Sequence, residues 1–312
     1  MNPRIKGWLV FFLLLAGVGL VGLVWQLRRT PQDSVNTYKF NGQRAYRDVE
    51  YQVSLGPRIP QSPAHSQVVD WIVSDLEKSG WEREVQEVTA LGHSVRNVVG
   101  RYGQGEPWII LGAHYDSRIA ADRDPQMKNR DQPVPGANDG ASGVAVLLEL
   151  ARILPHYLDQ SAGQDNGRAR QVWLVFFDAE DNGNLPGWDW ILGSHAFVAS
   201  LDGQPDAAVV VDMIGDADLQ IYMEKNSDPS LNQALWQAAA RSGHSREFIP
   251  EYRHSILDDH LPFKAAGIPA ADLIDFDYPY WHTTADTADK VSGQSLQAVG
   301  DTLLSWLVDE VP

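Results

Sequence analysis

The sequence predicts an α/β protein with a mostly parallel, twisted central sheet and helices on both faces, preceded by one transmembrane helix. Short runs rich in Val, Ile and Phe alternate with longer segments whose apolar residues recur at helical spacing. Such alternation is typical of a parallel sheet covered by its crossover helices. A long uncharged stretch near the N-terminus precedes this pattern and has a different character.

Residues 8–25 form that uncharged stretch, which is about the length that crosses the hydrocarbon core of a bilayer. Basic residues flank it and no small-x-small cleavage site follows, so we interpret residues 1–29 as a signal anchor, with a cleaved signal peptide as the alternative. A short cytoplasmic N-terminus is usual for an anchor, which predicts an extracytoplasmic main domain. Residues 30–45 are polar and predict a linker, and residues 46–312 then form one folded domain.

Periodicity predicts the order of elements in that domain. Apolar runs predict buried strands at 97–102, 108–114, 172–178, 208–212 and 271–274. Helical spacing predicts helices at 62–80, 142–154, 230–242 and 261–266, and a last helix that carries Leu296, Val299, Leu303 and Leu307. In sheets of this kind ligands bind beyond the carboxyl ends of the strands, which is therefore where a functional site is expected.

The composition excludes several classes of function. The formal charge of -16, from 41 acidic and 25 basic residues, offers no basic stripe, so nucleic acid is not an expected partner. The chain contains no cysteine, which excludes a disulfide framework, a thiolate nucleophile and a Cys-ligated metal. Any metal must therefore be held by His, Asp and Glu.

Metal-competent side chains gather at the ends of the predicted strands. They are His114, Asp116, Asp178, Glu180, Asp181, Asp212 and His282, and Asp139 stands just before a predicted helix. A single acidic residue at a strand end is usually a cap or a solvated charge. Together, however, these residues favour a zinc site, because zinc takes nitrogen and oxygen donors in a tetrahedral array with one position open. A divalent cation would also relieve the cost of clustered carboxylates.

The order of these motifs resembles the two-zinc aminopeptidases and, more closely, the animal-type glutaminyl cyclases that are also found in bacteria. The resemblance extends from about residue 46 to the C-terminus. Seven motifs carry it: HYDS at 114–117, PGAND at 135–139, FFDAED at 176–181, DMIGD at 212–216, DDHLPF at 258–263, GIP at 267–269 and YPYWHT at 278–283.

The resemblance implies a role for each matching residue. Asp139, Asp181 and His282 would bind one catalytic zinc ion, and Glu180 would be the general acid and base. Asp212 and Asp258 match acidic residues that form a hydrogen-bonded catalytic network with that glutamate.

Other residues are expected around this centre. Trp281, Trp188 and Tyr278 are the expected substrate-binding residues, and Trp190 is the alternative match for Trp188. Behind the ligands, Asp116 is expected to orient a neighbour at the strand end, and His114 is a further candidate for such a supporting position.

The implied activity is that of a zinc-dependent glutaminyl-peptide cyclotransferase, which converts an N-terminal Gln of a peptide or protein to pyroglutamate and releases ammonia. The alternative is a two-zinc aminopeptidase, in which His114 and Asp212 bind a second ion and Asp139 bridges the two. A third interpretation is a catalytically inactive, receptor-like ectodomain, against which the retention of Glu180 and of the ligand set argues. The expected partners are peptide N-termini and, through the N-terminal helix, a membrane; the sequence leaves the oligomeric state open.

Overall fold

The computed structural model describes residues 38–161 and 170–309. The predicted transmembrane segment at 8–25 and the first half of the predicted linker, residues 30–37, therefore lie outside the described residues. Within them, one helical stretch, Ala141–Gln160, is long and apolar enough to cross a bilayer, but 78% of its apolar window is buried inside the domain. Its apolar surface is thus used in the protein core.

A six-stranded sheet forms the centre of the domain, and a second sheet has two strands. The strands are β1 (Glu82–Ala90), β2 (His93–Gly103), β3 (Trp108–His114), β4 (Gln171–Phe177), β5 (Ala207–Asp212), β6 (Ile221–Met223), β7 (Phe248–Tyr252) and β8 (Ala270–Ile274). The central order is β1-β2-β4-β3-β5-β8, while β6 pairs with β7. Strands β4, β3, β5 and β8 are parallel neighbours, so their carboxyl ends meet at one edge.

The helices cover both faces of the central sheet, as predicted. In the described residues they are α1 (Gly42–Ser54), α2 (Pro63–Lys78), α3 (Ala141–Ser161), α4 (Leu192–Ala199), α5 (Pro229–Arg241), α6 (His260–Ala265) and α7 (Gly293–Asp309). Helices α1, α2, α3, α5 and α7 enclose the larger core. Phe197 of α4 and Phe263 of α6 pack with Phe177 in the smaller core on the opposite face. Every residue of β5 is buried, because helices cover it on both sides.

The folded domain begins earlier than the sequence predicts. Helix α1 occupies the end of the expected linker at 30–45, and the compact unit starts at Phe40. The side chain of Asn41 accepts a hydrogen bond from the backbone N–H of Arg44, which caps the helix. Few residues of α1 are apolar and buried, so its composition does not distinguish it from a polar linker.

Strand β1 was also not predicted from the sequence. Its first four residues are exposed, the rest alternate between half-buried and exposed positions, and several carry charge. Such a composition protects the edge of a sheet from pairing with another chain, but it removes the apolar signal by which strands are recognised.

Candidate metal centre and active site

Histidine and carboxylate side chains converge at the carboxyl edge of the parallel strands. His114 ends β3 and Asp212 ends β5, while Asp181 lies four residues beyond the end of β4. Two groups have the spacing of metal ligands: His114, Asp139 and Asp212, and Asp139, Asp181 and His282. Within each group the candidate ligand atoms lie within 4.8 Å of one another. Asp139 belongs to both groups, so the arrangement can hold one ion or two that share this carboxylate.

The distances within each group are short. His282 Nε2 lies 2.8 Å from Asp181 Oδ1 and 3.8 Å from Asp139 Oδ2. His114 Nε2 lies 3.2 Å from Asp139 Oδ1 and 3.1 Å from Asp212 Oδ1. The expected zinc ligands are therefore together, and so are the expected ligands of a second ion.

The buried polar atoms fit a divalent cation. Asp139 Oδ2 and Asp181 Oδ2 are buried and have no hydrogen-bond partner among the described residues. Burial raises the pKa of Asp181 to about 6, and the nearby charge of Asp139 adds to this effect. Clustered buried carboxylates are costly without a counter-charge, which a cation at these atoms supplies. Imidazole nitrogen with carboxylate oxygen is a donor set that suits zinc.

Glu180 lies beside this centre on the wall of a cavity of about 300 Å³. Asp212 and Asp258 line the same cavity, so the three expected catalytic residues come together. Burial, with the nearby charges of Asp181 and Asp258, raises the pKa of Glu180 well above its usual range. Burial also raises the pKa of Asp258, to about 7. A carboxyl group that titrates closer to neutral pH can both accept and return a proton.

The backbone is strained at three points of the site. Ala179 (φ 53°), Met213 (φ 47°) and His282 (φ 56°) adopt the left-handed conformation, which residues other than glycine rarely enter. A hydrogen bond holds the carbonyl of each of these residues. The N–H of Leu192 donates to the carbonyl of Ala179 (3.2 Å), and the N–H of Arg123 donates to the carbonyl of His282 (3.2 Å). The side-chain amide of Asn138 donates to the carbonyl of Met213 (3.3 Å). Strain of this kind persists only where the surroundings enforce it, and it places Glu180, Asp212 and His282 around one cavity.

The loop that carries Asp139 is held by Asp286. One carboxylate oxygen of Asp286 accepts from the N–H of Asn138 (2.9 Å), and the other accepts from the N–H of Asp139 (3.2 Å). Tyr278 donates its hydroxyl to the same carboxylate at 2.7 Å. Tyr278 is buried in this network and is not among the residues that line the cavity, so it lies behind the Asp139 loop and not on the cavity wall.

A buried arginine joins this loop to the end of β3. Arg58 is fully buried and donates to the carbonyls of Tyr115 (3.0 Å), Pro135 (2.9 Å) and Gly136 (2.5 Å). Neither Arg58 nor Asp286 was among the expected site residues. Nothing in the local sequence indicates that Arg58 is buried, because an arginine in a loop next to prolines is normally a charged residue at the surface.

Asp116 has the orienting position expected of it. Its carboxylate accepts from the backbone N–H groups of Glu180 (3.1 Å) and Asp181 (3.3 Å). Its Oδ1 also lies 3.4 Å from Nδ1 of His114, on the side of the ring away from the metal groups. The residue therefore fixes both the acidic pair and the imidazole.

Arg118 supports the other histidine through a carboxylate. It forms a bidentate pair with Asp122 at 2.8 and 2.9 Å, and it donates to the carbonyl of Asp181 at 2.8 Å. Asp122 Oδ1 in turn lies 3.4 Å from Nδ1 of His282. A carboxylate behind a ligating histidine fixes the orientation of the ring.

Two tryptophans form the aromatic wall of the cavity, but one of them differs from the expectation. Trp281 and Trp190 line the cavity, and Trp190 stacks with His282 at 6.0 Å between ring centroids. Trp188 instead stacks on His93 at 3.6 Å and packs beside Val95, away from the cavity. The single residue Asp189 separates the two indoles, which contact different neighbours, and their spacing of two residues does not reveal which is inward.

Comparison with known proteins identifies the family. Residues 97–307 match Peptidase family M28, and the chain therefore belongs to this family. The crystal structure of Bacteroides thetaiotaomicron glutaminyl cyclase is 32% identical, with a TM-score of 0.79 over 88% of this chain and 100% of that chain. A leucine aminopeptidase precursor from the same species is also 32% identical, with a TM-score of 0.80 over 89% of this chain and 100% of that one.

A mammalian relative shows the same affiliation in sequence. The glutaminyl-peptide cyclotransferase-like protein of Bos taurus is 27% identical over 287 residues, which cover 81% of this chain and 72% of that protein. The expected resemblance to the cyclases is thus confirmed. Because a structure named as an aminopeptidase is equally similar, the site has to decide the activity.

Proposed function

We propose that this protein is a zinc-dependent glutaminyl-peptide cyclotransferase that acts on N-terminal Gln of peptides or proteins. The observation that carries the proposal is one cavity in which a carboxylate trio and two indoles surround the metal-competent group. The trio is Glu180, Asp212 and Asp258, the indoles are Trp190 and Trp281, and the group is Asp139, Asp181 and His282. The relatives named as glutaminyl cyclases support it.

The reaction requires two proton transfers and no water. The α-amine attacks the side-chain amide carbon, a new C–N bond forms, and the original C–N bond breaks to release ammonia. Glu180 is placed to accept the proton of the attacking amine and to return it to the leaving nitrogen. Asp258, on the same wall, can accept a hydrogen bond from that nitrogen. Zinc held by Asp139, Asp181 and His282 would supply a Lewis acid for the amide oxygen.

The aromatic wall supports cyclisation over hydrolysis. Water competes with the α-amine for the same amide carbon, and excluding bulk water favours the intramolecular attack. The indoles of Trp190 and Trp281 contribute large apolar surfaces immediately beside His282.

The second candidate is a two-metal aminopeptidase, and one observation favours it. His114, Asp139 and Asp212 form a second group with ligand spacing, and Asp139 is shared between the groups. In that enzyme Glu180 would instead activate a water molecule for hydrolysis of the first peptide bond.

A product assay separates the candidates. The full chain, solubilised in detergent and supplied with zinc, is incubated with a Gln-initiated peptide and with a Leu-initiated peptide, and the products are identified by mass spectrometry. Loss of one ammonia from the first peptide alone is the expected result. Release of the terminal residue from either peptide would identify an aminopeptidase, and no change in either would favour the receptor-like interpretation.

We also propose that residues 1–29 anchor the protein in a membrane with the domain outside the cytoplasm. The uncharged stretch at 8–25 supports this proposal. Protease added to intact cells should digest the domain, and removal of residues 1–29 should release it from the membrane fraction. Protection from protease would contradict the topology.

A further inference from the structure

The cavity contains one feature that the proposed chemistry does not use. The described residues that line it include five carboxylates: Asp139, Glu180, Asp181, Asp212 and Asp258. Among the described lining residues, Arg123 is the single lysine or arginine. An arginine at the rim of an acidic cavity is available to a ligand if no carboxylate of the protein pairs with it.

Arg123 is held in place over the aromatic wall. Its guanidinium carbon lies 4.3 Å from the ring centroid of Trp281, and that ring lies 4.0 Å from the ring of His282. The backbone N–H of Arg123 donates to the carbonyl of His282 at 3.2 Å. The guanidinium is thus one aromatic ring away from a candidate zinc ligand. The N–H donors of the guanidinium lie in the plane of the group, so stacking on an indole leaves them free for hydrogen bonds.

The carboxylates beside Arg123 in the sequence have other partners. Asp122 is engaged on both oxygens by Arg118. Asp124 accepts hydrogen bonds from the N–H and the hydroxyl of Thr284, at 3.0 and 2.6 Å. None of the ion pairs formed within the described part of the chain includes Arg123, which is exposed to solvent.

We infer that Arg123 recognises an acidic side chain at the second position of the substrate, so that the preferred peptides begin Gln-Glu or Gln-Asp. The inference rests on the proposed function, which places the N-terminal Gln at Glu180 and the metal group. An extended peptide advances about 3.5 Å per residue, so the second residue lies at the mouth, where Arg123 stands. The planar guanidinium matches a carboxylate through two parallel hydrogen bonds.

The net charge of -16 acts in the opposite direction, because it repels acidic peptides at long range. The test therefore compares the selectivity of the native protein with the selectivity of each Arg123 variant. The selectivity of the native protein alone is not sufficient. We define the selectivity as kcat/KM for Gln-Glu-amide divided by kcat/KM for Gln-Lys-amide. Both peptides are amidated, because a free C-terminal carboxylate would be a second negative group beside the side chain.

Arg123→Gln should lower this ratio about 5-fold, as expected for loss of one charge pair worth about 1 kcal/mol at a solvent-exposed rim. Arg123→Glu should lower it further and favour the lysyl peptide. A general loss of activity from the missing stack on Trp281 would affect both peptides and cancel in the ratio, and Gln-Ala-amide measures that loss separately. The matched control is Arg101→Gln. Arg101 also stacks on a tryptophan, Trp173 at 4.4 Å, but it belongs to β2 and does not line the cavity, so its loss should leave the ratio unchanged.

The outcomes separate the inference from the proposed function. If the zinc-supplied native chain cyclises Gln-Ala-amide but Arg123→Gln leaves the ratio unchanged, the inference is overturned and the function stands. If the native chain consumes none of these peptides, the function fails, and the unconsumed Gln-Glu-amide and Gln-Lys-amide are titrated against tryptophan fluorescence. If Arg123→Gln lowers the ratio of the binding constant for Gln-Glu-amide to that for Gln-Lys-amide, the inference is still supported. If the ratio is unaltered, or if neither peptide binds, the inference is overturned.

Discussion

Glu180 and Asp181 are adjacent in the chain but face different partners. Asp181 Oδ1 lies 2.8 Å from His282 Nε2, in the metal group, whereas Glu180 lines the cavity beside Asp258. Neighbouring side chains that diverge in this way allow one carboxylate to bind the cation while the other moves protons. These two proposed roles belong to individual residues, so each can be tested by substituting that residue.

Glu180→Gln should abolish turnover without loss of metal. The amide has the same size but cannot accept a proton, so kcat should fall by about 10²-fold or more. Zinc content, measured by atomic emission after dialysis, should stay close to that of the native protein. If the variant instead loses its zinc, Glu180 is a ligand and the assignment is wrong.

The two loop tryptophans provide a matched pair. Trp190→Ala should lower kcat/KM for a Gln-initiated peptide by about 10-fold or more, because it removes an indole that lines the cavity and stacks with His282. Trp188→Ala removes an indole of the same size that stacks on His93 outside the cavity, so kcat/KM should change little. Equal losses in the two variants would contradict the placement of Trp190 at substrate.

At the scale of elements, the site depends on how loops are fastened to strand ends. Arg58 ties the end of β3 to the loop before Asp139, and Asp286 holds the backbone of that loop from the other side. Gly140 completes the loop with φ of +97°, and a Cβ there would stand 2.7 Å from the carbonyl oxygen of Asp116. The position of the shared ligand is therefore determined by residues that are not themselves ligands.

Asp286→Asn should weaken zinc binding. An asparagine presents an NH₂ group in place of one acceptor oxygen, so it loses a hydrogen bond from the loop that carries Asp139. Removing such support typically costs 10- to 100-fold in metal affinity, which competition with a fluorescent chelator can measure. Tyr278→Phe removes one hydrogen bond to the same carboxylate and should have a smaller effect. Unchanged affinity in Asp286→Asn would show that the loop holds its shape without this residue.

At the scale of the whole molecule, the centre concentrates negative charge inside the fold. Asp139, Asp181 and Asp212 are buried near the carboxyl ends of the apolar parallel strands, and burial raises the pKa of the last two. The stability of the domain should therefore depend on the cation that offsets these charges.

Removal of the metal should lower the melting temperature of the protein by several degrees. A ligand present at a thousand times its Kd stabilises the folded state by about 4 kcal/mol, and a chelator withdraws that contribution. Differential scanning fluorimetry with and without chelator measures the shift, and added zinc should restore it. An identical melting temperature in the two conditions would mean that no cation stabilises the folded domain.

Two acids outside the centre, the half-buried Asp48 and the buried Asp275, predict how the stability of the whole protein depends on pH. Burial raises the pKa of Asp48 to about 6 and that of Asp275 to about 7, against ordinary values near 4. The folded state therefore binds more protons than the unfolded state between pH 4 and 7, and these two groups make stability fall as pH rises through that window. Urea unfolding of the native chain, compared with Asp48→Asn and Asp275→Asn, should show a weaker decline in each variant. The same dependence on pH in both variants would exclude these carboxyls as its source.

Local patterns determined much of this protein. Continuous apolar runs identified the four parallel strands, because strands that are covered on both faces have to be apolar throughout. The family resemblance carried by the motif order then named both groups of candidate ligands, and the sheet brings His114, Asp181 and Asp212 together because the carboxyl ends of parallel strands meet at one edge. The polar helix α1 and the charged edge strand β1 have no such signal, and they were not predicted.

Only the tertiary structure decided which of Trp188 and Trp190 faces the cavity, and that Tyr278 supports Asp286 and does not line the substrate wall. It also revealed Arg58 beneath the Asp139 loop and Arg123 above Trp281. The physical reason is the same in each case. Periodicity reports which face of a regular element is buried, but a loop side chain takes its direction from contacts with residues far away in the sequence.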